Sequence, residues 1–213
     1  MKSYALNNIS KIINGNVIFE NINATFEKGK IYGLIGGNGS GKTMLIRVMA
    51  GLIKPTEGHI EIDGEKCDLT RKKNIDIGVV IENISLYHEM TGVDNLKFLA
   101  SINKKVDKNR IEEIIEQVGL DPKDKKKVRK YSLGMKQKLT LAQCFMEYPD
   151  LILLDEPTNA LDEESTAKIL DIIRSHAEKG AIVLIVSHIK DDIFSVCDKI
   201  YTIKDKHLCE VEK

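Results

Sequence analysis

Only four prolines occur in the 213 residues. That is too few for a Pro-rich linker, and neither an internal repeat nor a low-complexity tract interrupts the chain. Cysteine is equally sparse. Cys67, Cys144, Cys197 and Cys209 are scattered without CxxC spacing, which argues against a disulfide framework or zinc site and for reduced, packed thiols in a cytosolic protein. Neither sign of charge is in excess: 32 Lys plus Arg stand against 32 Asp plus Glu. A global basic signature is therefore missing, and no nucleic-acid partner is expected. Long apolar runs are missing too. The stretches 151–154 and 181–186 fall far short of the ~20 residues a membrane helix needs, so the chain is not expected to span a bilayer alone. Its start, MKSYALNNIS, has no apolar core behind the lysine, and no export signal is expected there.

What is present is enough for a proper core. Hydrophobic residues make up 42%, and the length suits one medium domain or a core with a subdomain. Four short runs (31–35, 77–81, 151–154 and 182–186) are continuously apolar, as strands of a parallel sheet covered on both faces are. Residues 59–63 instead alternate strictly and end at Gly64, which predicts a half-exposed antiparallel strand and a small mixed-sheet edge.

Between the second and third runs the period changes to that of helices. Thr91 and Asp94 form a capping-box start for a helix that buries Leu96 and Leu99. Asp107 opens another, with Ile111, Ile114, Ile115 and Val118 on one face and Gly119 as its stop. A third starts at Ser132 and stacks Met135, Leu139, Ala142 and Met146. The pattern predicts an α/β core, 1–83 and 147–213, with an antiparallel β edge and an inserted α-helical subdomain, 84–146. Residues 123–130 carry six basic side chains and one acidic one. So short a patch, balanced elsewhere, reads as solvated surface.

The strongest local signal is Gly36-Gly37-Asn38-Gly39-Ser40-Gly41-Lys42-Thr43, a full GxxxxGK[ST] match. It follows the run 31–35 and opens a helix containing Leu45, Val48 and Met49, the context such a loop requires. The glycines let backbone N–H groups curl around phosphate oxygens, and the helix N-terminus adds positive potential. Lys42 can neutralise the β- and γ-phosphates, and the Thr43 hydroxyl is placed for Mg²⁺. Asp155-Glu156 follows four apolar residues, where a buried carboxylate is costly unless it meets a cation. Asp155 therefore reads as a Mg²⁺ carboxylate, and Glu156 as the group that orients or deprotonates an attacking water.

Together these motifs resemble the ATP-binding-cassette ATPases over essentially the whole chain. Tyr131-Ser132-Leu133-Gly134-Met135 stands at that family's signature position, between the helical insertion and Asp155. Its variant form, YSLGMKQ, is similar to cassettes of bacitracin and lantibiotic resistance transporters. The resemblance implies a RecA-like P-loop NTPase core and ATP and Mg²⁺ as cofactors. It also implies an ATP-dependent dimer in which Ser132 and the Gly134 amide meet the γ-phosphate held by the other subunit. Asn159-Ala160-Leu161-Asp162 matches the dimer-contact loop, with Asp162 ordering the opposed site, and His188 matches the switch histidine at the γ-phosphate.

The resemblance further implies transmembrane permease subunits as partners, docked near 82–87, and a peripheral place on the cytoplasmic face of the membrane. Two departures stand out. The adenine-stacking aromatic belongs near Ile13, where none occurs; Phe19 lies closer to the loop and Tyr4 farther away. The glutamine that joins Mg²⁺ to the helical subdomain is here Glu82. A soluble cassette acting on DNA or ribosomes is the rival reading. Such relatives usually carry two cassettes, long coiled-coil insertions or zinc cysteines, none of which appears in the sequence.

Overall fold

The computed structural model describes residues 1–68, 75–81, 86–188 and 195–212. Chain order begins with a long hairpin, Ser3–Ile13 (β1) and Asn16–Glu27 (β2), then Ile31–Ile35 (β3) and the helix Lys42–Met49 (α1). Glu57–Ile62 (β4) and Glu65–Cys67 (β5) form a second hairpin, followed by Ile77–Val80 (β6). Three helices come next: Gly92–Asn103 (α2), Lys108–Gln117 (α3) and Leu133–Phe145 (α4). Leu151–Asp155 (β7), helix Glu163–Glu178 (α5), Ile182–Val186 (β8), Lys199–Lys204 (β9) and His207–Val211 (β10) complete the order.

Two sheets result. One is four-stranded and antiparallel, in the order β2-β1-β4-β5. The other has six strands in the order β10-β9-β3-β8-β7-β6, all parallel apart from β10. β7 and β8 lie inside this sheet and are buried at every residue, as continuous apolar runs require. β6 differs from expectation. It sits at the sheet edge, ends at Val80, and alternates between half-buried Ile77 and Val79 and buried Gly78 and Val80. The antiparallel edge is also larger than the alternation of 59–63 suggests, because β1 and β2 join it. Asn8, Asn14 and Asn21 have φ near 50°, and shifts of register interrupt the β1–β2 pairing. Bulges of this kind break the period-two signal.

Each insertion helix starts on its side-chain cap. The oxygens of Thr91, Asp107 and Ser132 accept the amides of Asp94, Arg110 and Met135 at 3.2, 2.9 and 3.2 Å, each worth about 1 kcal/mol. Leu96, Ile111, Ile114, Ile115, Val118, Leu139 and Ala142 form one continuous core with Val80, Ile152 and Leu154 of the parallel sheet. The helices thus share the sheet's core. α4 lies so close to β6 that a Cβ at Gly78 would come 2.7 Å from the Cys144 carbonyl. A second core joins β1, β2 and β4 to α1 and to β3, β7 and β8. Cys144 and Cys197 are buried, Cys67 is partly covered, and Cys209 stands exposed, so packing covers fewer than all four thiols. The basic stretch is tied down as well as solvated. Val128 is fully buried, and Lys127 and Arg129 reach Glu89 at 2.9 and 3.5 Å.

Candidate functional site

The parallel strands β3 and β7 deliver the site at their carboxyl ends. After Ile35 the chain turns through Gly36, Gly39 and Gly41, whose φ values of 152°, 78° and 98° suit glycine and strain other residues. At Gly41 the space is restricted too. A Cβ there would lie 3.1 Å from Ile18 and 3.3 Å from Phe19, so the β1–β2 hairpin presses on the loop. Lys42, only 8% exposed, donates to the Gly36 and Gly37 carbonyls at 2.7 and 2.8 Å. The Ser40 hydroxyl is buried with no hydrogen-bond partner among the described residues. A cradle of backbone amides, a held ammonium and an orphaned hydroxyl together fit a polyphosphate.

Thr43, in the first turn of α1, donates its hydroxyl to the Asp155 carboxylate at 2.5 Å. Asp155 ends β7 and is 6% exposed. A hydroxyl and a carboxylate side by side at the lip of a phosphate loop form a hard-oxygen donor pair that fits Mg²⁺. Glu156 follows, with a left-handed φ of 50°. Its amide donates to the Val186 carbonyl at 2.8 Å, which fixes it against the end of β8. Its carboxylate accepts the His188 amide at 3.1 Å and the Ser187 hydroxyl at 3.4 Å, and it meets His188 Nδ1 at 2.8 Å. The three elements that carry Thr43, Asp155, Glu156 and His188 thus converge.

The remaining described candidates are spread over the phosphate loop, α4 and α5. Asn38 belongs to the loop turn and is exposed. Ser132 is exposed, and its hydroxyl serves as the cap of α4. Gly134 seats α4 on the loop 159–162 of its own chain, where a Cβ would come 2.8 Å from the Ala160 carbonyl. Asp162 caps α5 by accepting the Ser165 amide at 2.7 Å, and hydrogen bonds from Ser165 hold its carboxyl below the ordinary value. Glu82 lies outside the described residues. Phe19 and Tyr4 are fully buried, and the Tyr4 hydroxyl donates to the Met49 carbonyl, so neither offers a face to a base.

Sequence reasoning passed over two residues at this centre. Ser187 precedes the singled-out His188 and reaches the same carboxylate. Gln137, inside YSLGMKQ, donates to the Glu156 and Pro157 carbonyls at 3.4 and 3.0 Å. Its motif was legible; its target was not. A cavity of about 280 Å³ opens beside it, lined in part by Val80, Leu86, Gln137, Asp155 and Glu156, between the sheet edge and the insertion helices. Among the described residues no helix is long and apolar enough to cross a membrane.

Known proteins match this arrangement. The family model described as ABC transporter matches residues 19–159. The uncharacterized ABC transporter ATP-binding protein YybJ of Bacillus subtilis is 48% identical over 193 residues, covering 90% of this chain and 88% of the relative. The bacitracin transport ATP-binding protein BcrA of Bacillus licheniformis is 39% identical, over 95% of this chain and 67% of its own length. In shape, the chain is similar to the ATP-binding cassette MJ0796, solved as a dimer in a post-hydrolysis state bound to ADP and Pi. That likeness has a TM-score of 0.86 at 24% identity and covers 99% of both chains.

Proposed function

Because this chain belongs to the ABC transporter family, as one of its ATP-binding and ATP-hydrolysing subunits, we propose that it powers export of a peptide antibiotic through a separate membrane permease. The observation that carries this reading is the convergence of Thr43, Asp155, Glu156 and His188 beside the phosphate loop, in a chain related to a bacitracin transport subunit.

The backbone amides of residues 36–43 hold the phosphates of ATP, and the Ser40 hydroxyl has a free bond to give them. Lys42 sets its charge against the β- and γ-phosphates. Thr43 and Asp155, with Glu82, would hold Mg²⁺, which would supply positive charge against the phosphate oxygens. Glu156 takes the proton of the attacking water, and His188 fixes the glutamate carboxylate while facing the γ-phosphate. Two such chains, identical or related, close on ATP so that Ser132 and the Gly134 amide of one complete the site of the other. Asp162 lies beside that contact. Hydrolysis reopens the pair, and the helices 84–146 pass the movement to the permease.

The permease docks where Tyr87 and Phe98 stack edge to face at 4.9 Å on the exposed side of the insertion, next to the 280 Å³ cavity. The subunit then sits peripherally on the cytoplasmic face of the membrane. Purification of the tagged chain from membranes tests this directly. A co-purifying multi-helix permease, and ATPase activity raised by a peptide antibiotic, are expected. A chain found free of any membrane protein, with ATPase activity indifferent to such peptides, would remove the transport role and leave the ATPase.

A further inference from the structure

Glu156 is gripped from three directions. Its amide and its carboxylate are held by the β8 side, through Val186, Ser187 and His188. Its carbonyl accepts from Asn159 within the same turn at 3.2 Å. The third grip comes from the helical insertion. Gln137 Nε2 reaches the Glu156 carbonyl at 3.4 Å and the Pro157 carbonyl at 3.0 Å. Both partners are acceptors, so the side chain must present its NH₂ group to them.

Gln137 does not act on the turn alone. It lies three residues after Gly134, on the same face of α4, and Gly134 abuts the Ala160 carbonyl at the other end of the turn. The helix therefore clamps residues 156–160 at both ends, by a close approach at Gly134 and a forked hydrogen bond at Gln137. The clamped turn is unusual backbone. Glu156 and Ala160 have φ values of 50° and 65°, a region that side-chain-bearing residues seldom adopt without support. A displacement of α4 along its axis consequently reaches Glu156 as a displacement of its own peptide plane.

We propose that Gln137 is a positioning residue for hydrolysis: its amide ties α4 to the main chain of Glu156 and sets where that carboxylate points. The proposal rests on the assignment of Glu156 as the group that handles the attacking water. Gln137 touches neither nucleotide nor water in this scheme. It couples the position of the signature helix to the readiness of the chain's own glutamate.

The test uses the full chain and separates turnover from binding. Gln137→Met keeps length without the donor, Gln137→Glu keeps polarity without the donor, and Gln137→Lys restores a donor. In Met and Glu variants kcat is expected to fall about 5- to 30-fold, the loss that goes with one or two hydrogen bonds, with KM for ATP and thermal midpoint near wild type. The Lys variant is expected to recover most of the rate. Adding Gln137→Met to Glu156→Gln is expected to cost nothing further in single-turnover hydrolysis, because both act at one point. Wild-type kcat in both Met and Glu variants overturns the proposal, as does an equal loss in the Glu156→Gln background. Normal turnover by Glu156→Gln alone overturns instead the assignment beneath it.

Discussion

Glu156 and His188 hold one another through two contacts, an amide-to-carboxylate hydrogen bond of 3.1 Å and a ring-nitrogen contact of 2.8 Å. The amide bond fixes the carboxylate against the end of β8, and the ring keeps one of its oxygens occupied from the exposed side. A carboxylate so oriented can accept a water's proton only while it is ionised. Glu156→Gln keeps the size and loses that capacity. Hydrolysis is expected to fall about 10²- to 10⁴-fold, while ATP binding persists and a closed dimer accumulates. Near-normal turnover by this variant, measured as phosphate release, removes Glu156 from the chemistry.

The glycine-rich loop was legible because it is local. Residues 36–43 stand in one stretch, and their spacing alone dictates a loop between a strand and a helix. The sequence assigned Thr43 and Asp155 to one metal by their chemistry, but not their direct bond, since the two are far apart in sequence and meet through the order β3-β8-β7 of the sheet. The tether from Gln137 to Glu156 was not legible. A glutamine in a helix is ordinarily a solvated residue, and nothing local marks which carbonyl it will reach. The long strands β1 and β2 escaped for a different reason, because left-handed asparagines and bulges scramble the alternation on which strand reading depends. Helices α2, α3 and α4 declared themselves by their caps, all three of which form as the residue types require.

His176 gives a prediction about stability and pH. It is buried on α5, with its ring stacked on Phe145 at 5.1 Å and tilted against Tyr148 at 5.9 Å. Burial first, then the neighbouring charges of Arg110 and Lys179, lower its pKa from 6.5 to about 4. The unfolded chain therefore binds the proton more readily between those values. The contribution to stability is complete above pH 6.5 and is lost as pH falls toward 4. His176→Phe is expected to flatten this part of the profile. Urea midpoints at several pH values check it, and parallel slopes for wild type and variant refute it.

Gly78 tests the seat of α4 on the sheet. A methyl group there would come 2.7 Å from the Cys144 carbonyl, 2.8 Å from its sulfur and 2.9 Å from Pro149. The carbonyl cannot yield without moving α4. Gly78→Ala is expected to cost about 1–3 kcal/mol, read as a lower urea midpoint with an unchanged slope. Thermal stability equal to wild type would show that α4 shifts without strain.

Ser132 tests whether two chains share one site. Its hydroxyl caps α4, and its surroundings are open, with Leu133 next to it 71% exposed. A long cation at this position obstructs whatever approaches the helix N-terminus. Ser132→Arg is expected to abolish hydrolysis and leave single-chain nucleotide affinity nearly intact. In the unaltered protein, specific activity is expected to rise with protein concentration. Full activity in a demonstrably monomeric sample defeats the shared site.

The bond from Thr43 to Asp155 makes opposite predictions for its two ends. Thr43→Val removes an oxygen donor without changing the charge of the site, so nucleotide affinity measured in chelator is expected to stay as in wild type. Asp155→Asn removes a negative charge that is 6% exposed at the mouth of the phosphate loop. That charge repels the phosphates strongly because little solvent screens it. Affinity for ATP in chelator is therefore expected to rise in Asp155→Asn. Adding Mg²⁺ reverses the order. Wild type gains affinity steeply, whereas both variants gain less, by about 10- to 100-fold, the usual cost of disturbing the groups that hold a metal. Titrations of ATP at fixed Mg²⁺ concentrations, and again in chelator, separate the two effects. If Asp155→Asn binds ATP no better than wild type in chelator and responds to Mg²⁺ equally well, Asp155 is a structural partner of Thr43 and not a metal carboxylate.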